Sequence, residues 1–127
     1  MRRLPPVVLA CLAACPIAGC GGDGESAAVA RPPGTVVMTD YEFHPRDVRV
    51  RRGATLTVVN EGGIAHNLKV ERGPDPRRAS DELTGTSSFL RGDREQLRIT
   101  LPPGTYVLVC TVPGHREIGM TGTLTVR

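Results

Sequence analysis

The 127-residue sequence has no tryptophan, only two tyrosines and two phenylalanines, and only three histidines. So few aromatic rings leave little for bases to stack on, and the arginines are scattered instead of clustered, so a nucleic-acid surface is excluded. A membrane span is missing too. The apolar stretch from Leu4 to Ile17 falls short of the roughly 20 residues needed and is interrupted by Pro5, Pro6 and Pro16. No histidine-rich or methionine-rich tract of the kind that suits a metal scavenger occurs, and no repeat period is present. The length allows one domain with one modest core and leaves no room for a second.

Cysteine is present but unevenly placed: three of the four lie within the first 20 residues, and Cys110 alone falls in the remainder. Residues 1–19 read as an export signal, with basic Arg2 and Arg3, an apolar core, and the small residues Ala18 and Gly19 before Cys20. Ile17-Ala18-Gly19-Cys20 resembles a bacterial lipobox, whose cysteine carries the lipid and becomes the first mature residue. Leu12-Ala13-Ala14-Cys15 fits the same pattern. Cys20 is favoured because lipidation at Cys15 would put Pro16 directly after the lipid and shorten the apolar core. Residues 20–34, rich in Gly, Ala, Ser and Pro, read as a flexible tether between lipid and domain. The expectation is an exported, lipid-anchored protein, periplasmic or on the outer face of the cell membrane, touching the membrane only through that lipid. Loss of Arg2 and Arg3 with the signal leaves fourteen basic against 13 acidic residues, a nearly neutral body. A lone thiol in an oxidising compartment needs a reason to persist, and a bound metal is a good one.

From residue 35 to 127 apolar residues recur at every second position, the strand period. Val48 and Val50, Leu56 and Val58, His66, Leu68 and Val70, Leu97, Ile99 and Leu101, Tyr106, Leu108 and Cys110, and Leu124 and Val126 each form one face, with Arg, Thr or Lys opposite. Turn signals at Arg52-Gly53, Glu61-Gly62-Gly63, Pro102-Pro103-Gly104 and Pro113-Gly114 separate the runs. The pattern predicts an all-β domain of about seven to eight strands, a two-sheet antiparallel sandwich or a small barrel. Residues 73–94, with Pro74, Pro76 and many charges, read as a long loop containing one helical turn and a short strand near Ser87 to Leu90.

The segment from Cys110 to Met120 offers thiolate, imidazole from His115 and thioether from Met120 in one inter-strand loop. Soft sulfur suits Cu(I), imidazole suits Cu(II), and a trigonal pair of histidines with cysteine plus a weak axial methionine accommodates both. The second imidazole comes from His66, which shares the inward parity of Leu68 and Val70 and follows Gly62-Gly63. His44, before Pro45 in a charged turn, reads as a surface residue.

With Asn60, His66-Asn67, Tyr106, Cys110, His115, Met120 and Gly122 in this order, the stretch from Thr35 to Arg127 resembles the plastocyanin/azurin group of cupredoxins. The resemblance implies a Greek-key β-sandwich, one copper ion held by His66, Cys110, His115 and Met120, and one-electron transfer without enzymatic turnover. It also implies that Asn67 joins the two ligand-bearing segments and helps hydrogen-bond the sulfur, with Thr111 assisting. Redox protein partners are expected to dock near His115, amid Val112, Pro113, Ile118 and Ile64, on a monomeric carrier. The loop is a hybrid: four residues between Cys110 and His115 resemble azurin, and four between His115 and Met120 resemble plastocyanin. Val109 stands where plastocyanins carry tyrosine, and azurin's disulfide has no counterpart. An accessory module of a copper oxidoreductase would want a histidine beside the cysteine, where Val109 and Thr111 stand, and a binuclear centre would want two cysteines in the loop. A copper carrier without redox cycling is the remaining alternative.

Overall fold

The computed structural model describes residues 33–127. The export signal at 1–19, the Cys20 lipid site and nearly all of the tether lie outside the described residues. Nine strands follow in order: β1 (Thr35–Thr39), β2 (Glu42–His44), β3 (Asp47–Val50), β4 (Thr55–Asn60), β5 (Lys69–Glu71), β6 (Glu82–Gly85), β7 (Arg94–Arg98), β8 (Gly104–Val109) and β9 (Thr121–Val126). They make a four-stranded sheet, β2-β1-β4-β7, and a five-stranded sheet, β3-β9-β8-β5-β6. The all-β sandwich is the architecture expected.

The two-residue alternation decides which side chains enter the space between the sheets. Leu56 and Val58, Leu68 and Val70, Tyr106 and Leu108, and Leu124 and Val126 join Val36, Met38 and Phe43 in one core. A truncation such as Leu108→Ala would cost about 2–5 kcal/mol, because the fully buried side chain leaves a void that packed neighbours fill only partly. The Tyr106 hydroxyl donates to the Pro102 carbonyl (2.7 Å), fixing the turn into β8. At Gly122 a Cβ would meet the backbone carbonyl of Arg46, so β9 passes the end of the β2–β3 turn at a distance only glycine permits.

Three expectations are corrected. Nine strands replace seven to eight. The pairings of β1 with β4 and β3 with β9 are parallel, so both sheets are mixed and not antiparallel throughout. Side-chain period reports the face a residue takes and carries no information on the direction of the neighbouring strand. In residues 73–94 there is no helical turn among the described residues, and the ordered strand is β6 at Glu82–Gly85; Ser87 to Leu90 contribute a single bridge between Phe89 and His66. The charges that disguised β6 suit an edge strand, where Glu82 meets Lys69 across the pair at 3.0 Å. Gly73, Pro74 and Pro76 line a cleft with Thr105, Val107 and Thr123, so this excursion covers the outer side of β8 and β9 and buries Val107.

Candidate metal centre

Asn60 ends β4 with a fully buried side chain that organises the approach to His66. Its Oδ1 accepts from the Gly62 amide (2.8 Å), and its Nδ2 donates to the carbonyls of Ile64 (2.9 Å) and Phe89 (2.8 Å). Satisfying three backbone groups from one amide side chain holds the 61–65 loop where no ladder exists. His66 follows, bridged by backbone bonds to Phe89 in both directions, with no exposed surface.

Cys110 continues β8 past its last paired residue, and the chain then coils through consecutive turns to Met120. The His115 amide donates to Val112 (3.0 Å), Gly119 to Arg116 (3.0 Å), Met120 to His115 (2.9 Å), and Cys110 to Met120 (3.1 Å). Gly114 (φ 86°) and Gly119 (φ 95°) take the left-handed backbone that the tight coil requires. The hybrid loop therefore closes on itself, with the backbone of Met120 hydrogen-bonded to those of both Cys110 and His115. Met120 is fully buried.

The predicted donors meet. His66 Nδ1 and His115 Nδ1 are 3.1 Å apart, Cys110 Sγ lies 3.4 Å from His115 Nδ1 and 4.0 Å from His66 Nδ1, and all three residues are buried. First-row metal bonds of about 2.0–2.3 Å to imidazole nitrogen and thiolate sulfur place such donors about 3–4 Å from each other. The triangle has the size a single metal ion requires. His44 stays outside it, exposed on β2 near Thr39 and Glu42, as its sequence context indicated.

Asn67 joins the two ligand segments: its Oδ1 accepts the Thr111 amide (2.8 Å), and its Nδ2 donates to Thr111 Oγ1 (3.1 Å) and Ser88 Oγ (3.0 Å). The sulfur receives backbone amides from Asn67 and Val112, so the contact from Asn67 to Cys110 runs through its backbone. Burial pushes the Cys110 thiol above its ordinary range, and these two amides pull against it. A coordinated cation overrides that preference by displacing the proton. Burial, reinforced by neighbouring His66, holds the His115 imidazole below its ordinary value, against the opposing pull of Asp40 and Glu117, which leaves a neutral ring with a lone pair to offer.

Two features were not anticipated from sequence. The β1–β2 turn sets Asp40 against His66, with 3.1 Å between Oδ1 and Nε2, and lays the edge of the Tyr41 ring on His115 with centroids 5.2 Å apart. Tyr41 thereby leaves His115 only 6% exposed. Behind the ligand loop, Arg116 donates from Nη2 to Glu71 Oε1 (2.6 Å) and from Nη1 to Glu71 Oε2 (3.0 Å), and Nη1 also reaches the carbonyls of Pro76 and Arg78. No local pattern marks either contact, since the partners lie 26 and 45 residues apart.

Thiolate and two imidazoles meet in a buried, preformed pocket, and with the thioether of buried Met120 from the same loop they make up the donor set that copper takes in both oxidation states. Residues 34–127 match the copper binding proteins of the plastocyanin/azurin family. The chain is 34% identical over 85 residues to chloroplastic plastocyanin of Physcomitrium patens, covering 66% of this chain and 49% of that protein. It is also 26% identical over 120 residues to the copper-resistant cuproprotein CopI of Rubrivivax gelatinosus, covering 84% and 73% respectively. Its fold matches reduced auracyanin from Roseiflexus castenholzii with a TM-score of 0.62 at 24% identity, over 73% of this chain and 94% of that one. The chain spans about half the length of the chloroplastic plastocyanins of Physcomitrium patens and Oryza sativa subsp. indica, at 49% and 54%. With the family's match spanning every strand and the donor triangle closed inside it, the chain belongs to the plastocyanin/azurin family of copper-binding proteins and takes one copper ion.

Proposed function

We propose that this protein is an electron carrier of the bacterial cell envelope, with His66, Cys110 and His115 as the equatorial copper ligands and Met120 as the weak axial one. Copper in such a site exchanges one electron between Cu(II) and Cu(I). The observation that carries the reading is the buried triangle of two Nδ1 atoms and one Sγ. A carrier works best when its donors move little between oxidation states, and here they are pinned by Asn60, by the Asn67–Thr111 pair and by the backbone bonds of the 110–120 loop. Enzymatic turnover is not part of the proposal: beyond the two clustered histidines, His44 is the only one left in the sequence to build a second, catalytic metal centre.

Electrons would pass by the His115 edge, where Tyr41, Ile64 and Ile118 are exposed at 42%, 43% and 59% and present apolar surface suited to brief docking of a redox protein. The chain would act as a monomer. A second reading, copper handling in metal resistance, is favoured by the likeness to CopI. A carrier should bleach on reduction and recover its colour on reoxidation through repeated cycles without yielding copper to a chelator. A metal-delivery protein should yield it.

The axial assignment is tested by replacing Met120. Copper added to the wild type should give an intense blue band, and a colourless complex would end the reading. Met120→Leu should keep the band and raise the reduction potential, by about 59 mV for each tenfold change in the Cu(II)/Cu(I) affinity ratio. Met120→Gln should lower it, because an amide oxygen is a harder donor that favours Cu(II). Unchanged potentials in both would make Met120 a core residue only.

Export and anchoring at Cys20 belong to the same proposal. Cys20→Ala is expected to release the protein from the membrane fraction or to block its maturation, read by fractionation. Retention unchanged would move the lipid to Cys15 or the anchorage elsewhere.

A further inference from the structure

We infer that Asp40 is a positioning residue for the metal centre: its carboxylate receives the Nε2–H of His66, fixes which ring nitrogen faces the metal, and sets the reduction potential by its charge. The inference rests on the copper reading above and deepens it.

The geometry carries it. The His66 side chain is fully buried, with Nδ1 toward Cys110 and His115 and Nε2 3.1 Å from Asp40 Oδ1. A carboxylate oxygen only accepts, so Nε2 bears the proton and Nδ1 is left with its lone pair directed at the cluster. The same Oδ1 also accepts the Gly63 amide at 2.8 Å, so the carboxylate is fixed from two sides. Gly62 makes the approach possible. A Cβ there would lie 2.6 Å from Asp40 Oδ1 and 2.8 Å from His66 Nε2, closer than real Cβ atoms come. The Gly62-Gly63 pair thus serves one contact, the first by leaving room for it and the second by donating to it.

Two consequences separate. Orientation requires any acceptor at the Oδ1 position, whereas tuning requires the negative charge, which favours Cu(II) over Cu(I). Asp40→Asn distinguishes them. Two donors, the Gly63 amide and His66 Nε2–H, converge on Oδ1, so asparagine keeps its oxygen there and loses the charge, together with what the Ile64 amide gains from it. Asp40→Ala loses both.

The test uses the full chain. In the metal-free protein, nitrogen NMR should find His66 in the Nε2–H tautomer for wild type and Asp40→Asn, and a mixture for Asp40→Ala. In the copper-loaded protein, Asp40→Asn should keep wild-type Cu(I) affinity and lose three- to tenfold in Cu(II) affinity, so that its potential rises by about 30–59 mV for one electron. Half-exposure of Asp40 and screening by solvent hold the effect to that range. Asp40→Ala should lose about 10–100-fold in copper affinity as well. A wild-type potential in Asp40→Asn overturns the tuning role, and wild-type tautomer and affinity in Asp40→Ala overturn the positioning role. Failure of the wild type to turn blue is a different result: it defeats the copper reading, while the tautomer measurement on the metal-free chain still decides the role of Asp40.

Discussion

Cys110→Ser, loaded with copper under the conditions that turn the wild type blue, is expected to lose the visible band entirely. The colour comes from charge transfer between thiolate and Cu(II), and Cys110 is the one cysteine among the described residues. A serine hydroxyl is harder and far less readily ionised than a thiol, and in this buried position it is held neutral by the same desolvation that raises the thiol. Copper affinity should fall with it, leaving two imidazoles and a weak thioether. Absorption and copper titration on the same samples check both effects. A blue Cys110→Ser variant would mean that another thiol supplies the ligand.

Glu71→Ala carries the largest expected effect on stability. The Glu71 and Arg116 side chains are 4% and 11% exposed and joined by two hydrogen bonds, so removal of the carboxylate leaves the buried guanidinium without its counter-charge, with the Pro76 and Arg78 carbonyls as its remaining acceptors. Stranding one partner of such a pair costs about 3–5 kcal/mol. For a domain of this size that lowers the melting temperature by at least about 12 °C. The double replacement Glu71→Leu with Arg116→Met removes both charges and should recover most of the loss. Acid provides a second check. Burial alone would raise the Glu71 carboxyl, but the Arg116 hydrogen bond and the Ser80 amide outweigh it and hold it below its ordinary value. The contribution of the pair is therefore present above the usual glutamate range and disappears as pH falls below it toward the depressed folded-state value. Wild type and Glu71→Ala should converge in stability over that interval. A Glu71→Ala variant melting with the wild type at neutral pH would show the pair to be dispensable.

What the sequence made legible follows from what is local. Cys110, His115 and Met120 share one loop, and their spacing and softness identify copper before any fold is considered. His66 needed only strand parity and the glycines before it. The Asp40 contact was invisible because it depends on the β1–β2 turn approaching a loop 26 residues later, and Arg116 looked like one more scattered arginine until Glu71 was found beneath it. In the fold, alternation placed Leu56, Leu97 and Leu108 inside but said nothing of which strands would be neighbours. The parallel pairs and β6 were missed for that reason. Edge charges such as Glu82 hid β6 inside what read as a long loop.

The position of β9 bears on the order of events during folding. This C-terminal strand is an interior strand, lying between β3 and β8, and its parallel ladder sets Asp47 against Thr123. Neither β3 nor the β8 edge can be satisfied until almost the whole chain has been released, and pairings between such distant segments form slowly. The loop bearing His115 and Met120 is closed by the same β8–β9 union. If the chain is exported unfolded, as the proposed envelope location implies, the loop bearing His115 and Met120 would stay unclosed, and the pocket incomplete, until β9 had crossed.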